Sequence, residues 1–150
     1  MGIRAFARRA FREAELGADA MRALIRAARL VRGASPDALV RTLRAAAAEG
    51  PKGPVDAGHT REIAAIARAV RVLGRAFGSR RCLIEALATA ELLRARSLPC
   101  TLRFSVSRDR GALLAHAWLE SGGLVVIGDG PGVHTPLERT QTTRSEATPA

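Results

Sequence analysis

The chain of 150 residues has no tyrosine, one tryptophan and four phenylalanines, so aromatics make up only 3% of it. Its core must therefore be built from Leu, Val, Ile and Ala. No basic cluster alternates with these few aromatics, as a single-strand nucleic-acid platform would need. Cysteine is equally scarce. Cys82 and Cys100 are the two present, too few for a disulfide framework. No apolar run approaches the roughly 20 residues that a membrane helix needs, and the N-terminus lacks a secretory apolar region. These absences place the expected compartment in the reducing cytoplasm, where a lone cysteine is either inert core or a reactive thiol.

What is present is ordinary for a globular protein: 47% hydrophobic and 25% charged residues. A chain of this length is expected to form one domain and to bury about 70% of its unfolded surface. The net charge is +10 and the pI about 11.6. Of the 24 basic residues, Lys52 is the only lysine; the arginines are spread along alanine-rich segments. An acidic peptide or protein partner fits this charge as well as a nucleic acid does. Without a basic cluster the expectation is no nucleic acid and no membrane partner.

Apolar spacing predicts helix over 4–31, with Gly17 a possible interruption. A second helix, capped by Ser35 with Pro36 in its first turn, runs to about Glu49. The segment "GPKGPVDAGH" (50–59) is a loop, and Thr60 is the expected cap of a third helix. That helix carries Ile63, Ile66, Val70, Leu73 and Phe77 on one stripe. Residues 80–96, "RRCLIEALATAELLRAR", are apolar nearly all round, the mark of a helix at the centre of a domain. Arg94 and Arg96 suit its C-terminal dipole, and Pro99 ends it.

The period then changes. "TLRFSVS" (101–107) alternates as a half-buried strand does, and "ALLAHAWLE" and "LVVIG" are two more strands joined by "SGG". Helices followed by an antiparallel meander make the fold class α+β. The expected division is an N-terminal helical region over 1–59, a core over 60–137 and a disordered polar tail over 138–150.

The hairpin holds the only tryptophan beside a histidine. If Gly122-Gly123 form a two-residue turn, Ser121 pairs with Leu124. An unbroken ladder then pairs Trp118 with Ile127 and His116 with Asp129. Opposed residues share a face with Cβ atoms about 5 Å apart, so the Asp129 carboxylate is placed to orient the imidazole of His116. Trp118, two residues from His116, shares that face. Leu113, Ala115, Ala117 and Leu119 take the other face and are expected to pack on the central helix. One extra loop residue would break this pairing.

With Ser79 as N-cap, Cys82 is the third residue of the central helix. Free backbone N–H groups and the positive dipole end there favour a thiolate, and Arg80 and Arg81 add positive charge. Cys82, His116 and Asp129 then supply nucleophile, base and orienter, with the Cys82 N–H a candidate oxyanion donor. On position alone, Cys82 is equally an inert core thiol, His116 a satisfied structural histidine and Asp129 a turn former. Cys100 reads as core filler, His59 as a solvated loop residue, and Glu120 either as a residue that orients partners near the site or as an exposed strand end. The spacing of Cys82, Cys100, His116 and His134 matches no compact zinc site, so no metal or other cofactor is expected.

The segments "RCLIEALATAELLRARSLPCTLRFSV", "AHAWLE" and "IGD" together resemble the transglutaminase-like cysteine peptidases of lasso peptide biosynthesis, more narrowly their stand-alone leader peptidases. The resemblance is good over 60–132. It implies a papain- or transglutaminase-like fold, with Cys82, His116 and Asp129 on the triad positions and Trp118 as a wall of the cleft. It implies removal of the leader from a ribosomally made precursor peptide through a thioester. A separate ATP-dependent cyclase would then join the freed amine to an acidic side chain. Residues 1–59 show no strand pattern of the leader-recognition module that fused relatives carry, so a recognition protein acting in trans is expected. Papain-like enzymes use an upstream Gln at the oxyanion, whereas the only Gln here is Gln141, which leaves that donor unassigned. Acyl transfer to an amine, and peptide binding without catalysis, are the rival functions.

Overall fold

A computed structural model describes residues 3–48, 53–78, 80–109 and 112–128. Its elements are α1 (Ile3–Gly33), α2 (Pro36–Ala48), α3 (Ala57–Gly74), a 3-10 turn over Arg75–Phe77, α4 (Arg81–Ala95), β1 (Thr101–Asp109), β2 (Ala112–Ser121) and β3 (Leu124–Ile127). Helices followed by a three-stranded antiparallel sheet give the mixed α+β architecture that the change of sequence period implies.

The apolar helix α4 lies at the centre. It packs against α1 and α3 and against β2. Leu83, Ile84, Ala86, Ala88, Ala90, Leu92 and Leu93 are all buried, and so are Glu85 and Thr89. Nine of its fifteen residues are buried and only Arg81 and Ala95, at its two ends, are exposed, so little of this helix faces solvent. Thr89 satisfies its hydroxyl locally, donating to the Glu85 carbonyl at 2.8 Å. Leu24 and Val31 of α1, Ile66 and Val70 of α3, and Leu102, Ala117, Leu119 and Ile127 of the sheet complete the same core.

The helix ends partly follow the expected chemistry. Ser35 Oγ accepts from the Ala38 N–H at 3.3 Å, as a cap of α2 should. Gly17 does not interrupt α1, which runs through it unbroken. The cap of α3 is Asp56 rather than Thr60. Its carboxylate accepts the His59 N–H at 2.8 Å, while the Thr60 hydroxyl donates to the Asp56 carbonyl. An ionised oxygen is the stronger acceptor for a free first-turn N–H, and this places His59 inside the helix rather than in a loop. The His59 hydrogen bond holds the Asp56 carboxyl below the usual carboxylate range.

Arginines tie the helices to one another. Arg80 Nη1 donates to the Val31 carbonyl at 3.1 Å and Arg32 Nη2 to the Phe77 carbonyl at 3.0 Å. The C-terminal turn of α1 is thus fastened to the segment that enters α4. Arg94 reaches the Ala46 carbonyl in the last turns of α2. Arg96 joins Asp19 at 3.1 Å and Glu62 at 3.6 Å. The two arginines expected to serve only the dipole of α4 also link it to its neighbours.

In the sheet, β1 and β2 pair without a break from Thr101↔Glu120 to Asp109↔Ala112. The Gly122-Gly123 turn is present, with Ser121 opposite Leu124 and Glu120 opposite Val125. The ladder then shifts. Leu119, not Trp118, is opposite Ile127, so β3 carries one extra residue. Burial explains the shift. Leu119 and Ile127 are both fully buried, and an unbroken ladder would have turned Ile127 to the Trp118 face. A bulge adds one residue and returns the larger side chain to the core.

The buried Glu85 fits only because Gly74 lies beside it. A Cβ on Gly74 would stand 2.7 Å from Glu85 Cγ and 2.9 Å from its Cδ. Gly74 has helical dihedrals, so alanine there should gain helix propensity. The overpacking should outweigh that gain. Gly74→Ala is expected to destabilise the protein by about 1–3 kcal/mol, read by denaturant unfolding. Adding Glu85→Ala should recover much of the loss, because the two changes share one contact.

Candidate active site

Cys82 is half-buried at the start of α4. The helix is entered through Arg80, whose φ of 62° and ψ of 19° put it in the left-handed region, and no side chain caps it. This differs from the expected Ser79 cap: the N-cap position is Arg80 and Cys82 is the second helical residue, while Ser79 lies outside the described residues. A left-handed non-glycine residue costs roughly 1–2 kcal/mol. The hydrogen bond from Arg80 to Val31 holds the residue in place. The Arg80 carbonyl accepts the N–H groups of both Leu83 and Ile84, at 3.1 and 3.2 Å, so those two first-turn donors are already used. Arg81 is paired rather than simply solvated, its Nε 2.8 Å from Glu85 Oε1.

His116 lies in β2, the strand against which α4 packs. Its ring and that of Trp118 stack with centroids 5.8 Å apart and planes at 25°, so the i, i+2 relation does bring these two together. Ala117 and Leu119 point into the core, as the alternation predicts. Leu113 and Ala115, expected on the same face, belong to the part of β2 whose side chains are not described. Trp118 is only 2% exposed. Its indole N–H donates to Glu120 Oε1 at 2.9 Å. The other oxygen, Glu120 Oε2, accepts from Arg103 Nε at 3.3 Å, and Arg103 is the residue opposite Trp118 on β1.

Asp129 lies outside the described residues, as does the expected tail over 138–150. The derivation that set Asp129 opposite His116 assumed an unbroken β2–β3 ladder, and the bulge removes that assumption. Gly128 shows how closely the chain passes β2 as it leaves β3. Its φ is +81°, and a Cβ there would stand 2.8 Å from Trp118 Cβ and 2.9 Å from the Ala117 carbonyl oxygen. Only glycine takes that conformation without strain, and it brings the backbone against the peptide of Trp118.

Ser105 and Glu85 were not read from the sequence, and of the two readings of Glu120 the hydrogen bonds support the one in which it orients a neighbour. Glu120 is no exposed strand end, since it holds both Trp118 and Arg103. The signal was its i, i+2 spacing from Trp118, which puts both on one face. Ser105 is opposite His116 on β1. It is 1% exposed, and its hydroxyl has no hydrogen-bond partner among the described residues. Such a buried hydroxyl is costly where nothing uses it. Glu85, a buried carboxylate one turn from Cys82, was hidden by the apolar run around it. Among the described residues, no three His, Cys, Asp or Glu side chains gather as a metal-ligand set.

A groove of about 670 Å³ lies elsewhere, between α3, the 53–55 segment and β3, lined in part by Ile63, Ala67, Arg71, Leu124 and Val125. Neither Cys82 nor His116 lines it. The chemistry of the cysteine and histidine, rather than the size of a cavity, is what marks the site here.

The two thiols differ in surroundings. Cys100 is 3% exposed, and burial pushes its thiol up, against the opposing charge of Arg94. In the folded protein, iodoacetamide should therefore label Cys82 well before Cys100 at any pH below about 9. Peptide mass mapping reads the order, and equal labelling in a folded sample would contradict the placement of the two residues.

Residues 21–142 match the transglutaminase-like superfamily, whose members are in general cysteine peptidases and acyltransferases. No curated protein and no solved structure matches the chain. Among the described residues no helix is long and apolar enough to cross a membrane. With the match covering most of the sequence, and with helices leading into an antiparallel sheet as that family requires, the chain belongs to the transglutaminase-like superfamily.

Proposed function

We propose that this protein is a cysteine peptidase that removes the leader from a lasso precursor peptide. The observation that carries the reading is the placement of Cys82 in the first turn of a buried helix that packs against the strand holding His116. Within a superfamily of thiol-dependent enzymes, this is the arrangement that nucleophile and base need. The "AHAWLE" and "IGD" segments narrow the reading to leader peptidases.

In this mechanism the Cys82 thiolate adds to the scissile carbonyl, and His116 holds the thiol proton as imidazolium. The tetrahedral intermediate collapses as His116 gives that proton to the leaving amine, which is the new N-terminus of the core peptide. The leader remains as a thioester on Cys82. Water, deprotonated by His116, then releases the leader carboxylate and restores the thiol. Asp129 orients the imidazole. First-turn N–H groups of α4 stabilise the oxyanion, with the Cys82 N–H the leading candidate because those of Leu83 and Ile84 are bonded to Arg80. A ring 2% exposed offers little face to a substrate, so Trp118 serves by backing His116 rather than as an open cleft wall.

The partners of this reaction are the precursor peptide, a separate leader-recognition protein and, downstream, an ATP-dependent cyclase. The place of action is the cytoplasm, where the precursor is made. The net charge of +10 suits an acidic leader or partner surface.

The test is a cleavage assay with the precursor and the recognition protein, read by mass spectrometry. The unmutated protein is expected to yield a leader fragment with a free carboxylate. Cys82→Ala should lower its formation by at least about 10³-fold with an unchanged melting curve. Cleavage that survives Cys82→Ala would sink the assignment, and an amine carried on the leader would point to acyl transfer instead. Binding of the precursor with no cleavage by the unmutated protein would favour a binding module.

A further inference from the structure

We propose that Glu120 is a positioning residue for the reaction, acting on His116 through Trp118. The inference rests on the reading of His116 as the base. Three contacts form one chain: Arg103 donates to one carboxylate oxygen of Glu120, the Trp118 indole donates to the other, and the indole stacks on the imidazole. The strand pairing sets this chain up, since Arg103 is opposite Trp118 and Thr101 opposite Glu120.

The physical argument concerns rotation about the Trp118 side chain. A buried indole without its N–H partner loses a hydrogen bond, whose absence inside a protein costs about 1–3 kcal/mol. Glu120 supplies that partner at one angle of the ring and no other. Arg103 in turn holds the carboxylate that accepts the indole N–H. His116, stacked on the indole plane at 25°, has its ring direction restricted before any substrate arrives. A base must hold its nitrogen toward the thiol through proton transfer in both directions, and small errors in direction are expensive in rate. A carboxylate is also the better acceptor for an indole N–H, because charge-assisted bonds are the stronger ones.

The experiment needs no peptide substrate. Trp118 is the only tryptophan and the chain has no tyrosine, so indole emission reports on one ring. An imidazolium stacked on an indole quenches it, so emission from the unmutated protein should fall as His116 takes up a proton. The probe of the thiol is iodoacetamide at about pH 5.5, where an unassisted thiol is almost silent, read by peptide mapping of Cys82. Glu120→Ala is expected to lose most of the pH-dependent emission change and to slow this alkylation by about tenfold. Glu120→Gln, which keeps an oxygen acceptor for the indole, should retain the emission change and alkylate within about twofold of the unmutated rate.

Glu120→Ala that keeps both the emission change and the alkylation rate overturns the proposal. So does a slowed alkylation with the emission change intact, because the effect would then not pass through the stack. Where Glu120→Ala fails to fold, Trp118→Phe keeps a ring and removes the N–H. It is expected to slow alkylation by the same factor, and an unmutated rate there overturns the proposal. His116→Ala checks the underlying reading separately. If it alkylates as fast as the unmutated protein, the cysteine–histidine pair is refuted, whereas the emission titration reads the stack alone.

Discussion

The fold depends on a helix that shows little of itself to water. Ten of the fifteen positions of α4 are apolar and they are spread round the helix, so it is stable only when enclosed, and the rest of the chain is arranged to enclose it. α1 and α3 lie along it, and the sheet presents Leu102, Ala117, Leu119 and Ile127 to the same core. This burial has a consequence for chemistry. The first turn of α4 is fixed against its neighbours, and Cys82 is carried on that turn. For Cys82 as the proposed nucleophile, a place on this enclosed helix leaves little freedom to wander, which is the preorganisation that thiol catalysis requires.

Burial also governs what the sheet does near the histidine. Ile127 is drawn to the core side, and β3 accommodates it by an extra residue. The same bulge sets the path by which the chain leaves β3. Gly128, in a left-handed conformation, then lies against the Trp118 peptide. On the opposite face of β2, His116 and Trp118 stack while Glu120, itself bonded to Arg103, accepts the indole N–H. One strand thus presents core to one side and a polar, hydrogen-bonded row to the other, through nothing more than its alternation.

The legible parts of the sequence were those with strong periodicity. The α+β order, the central helix, the hairpin turn and the shared face of His116 and Trp118 all follow from spacing alone. The parts that could not be read are decided by competition in three dimensions. Asp56 and Thr60 are both good cap residues, and the choice between them turns on where α3 begins to pack. The bulge at β3 depends on the relative burial of Ile127, which no local pattern states. Glu85 sits in an apolar run and is accommodated by Gly74, eleven positions earlier in the chain. Position alone assigned Arg94 and Arg96 to the α4 dipole and Arg80 to the charge beside Cys82, yet these three and Arg32 serve as ties between helices. Their partners are backbone carbonyls and distant carboxylates, which sequence spacing does not reveal.

The central claim is that the leader passes through a covalent bond to Cys82. Acid quenching of the protein with a precursor peptide and its recognition protein in the first turnover, followed by intact and peptide mass analysis, tests it most directly. The account predicts an adduct with the mass of the leader acyl group, mapped to Cys82 and discharged by hydroxylamine as thioesters are. Turnover with no adduct under any quench time, or an adduct mapped to Cys100 or to a hydroxyl side chain, would contradict it.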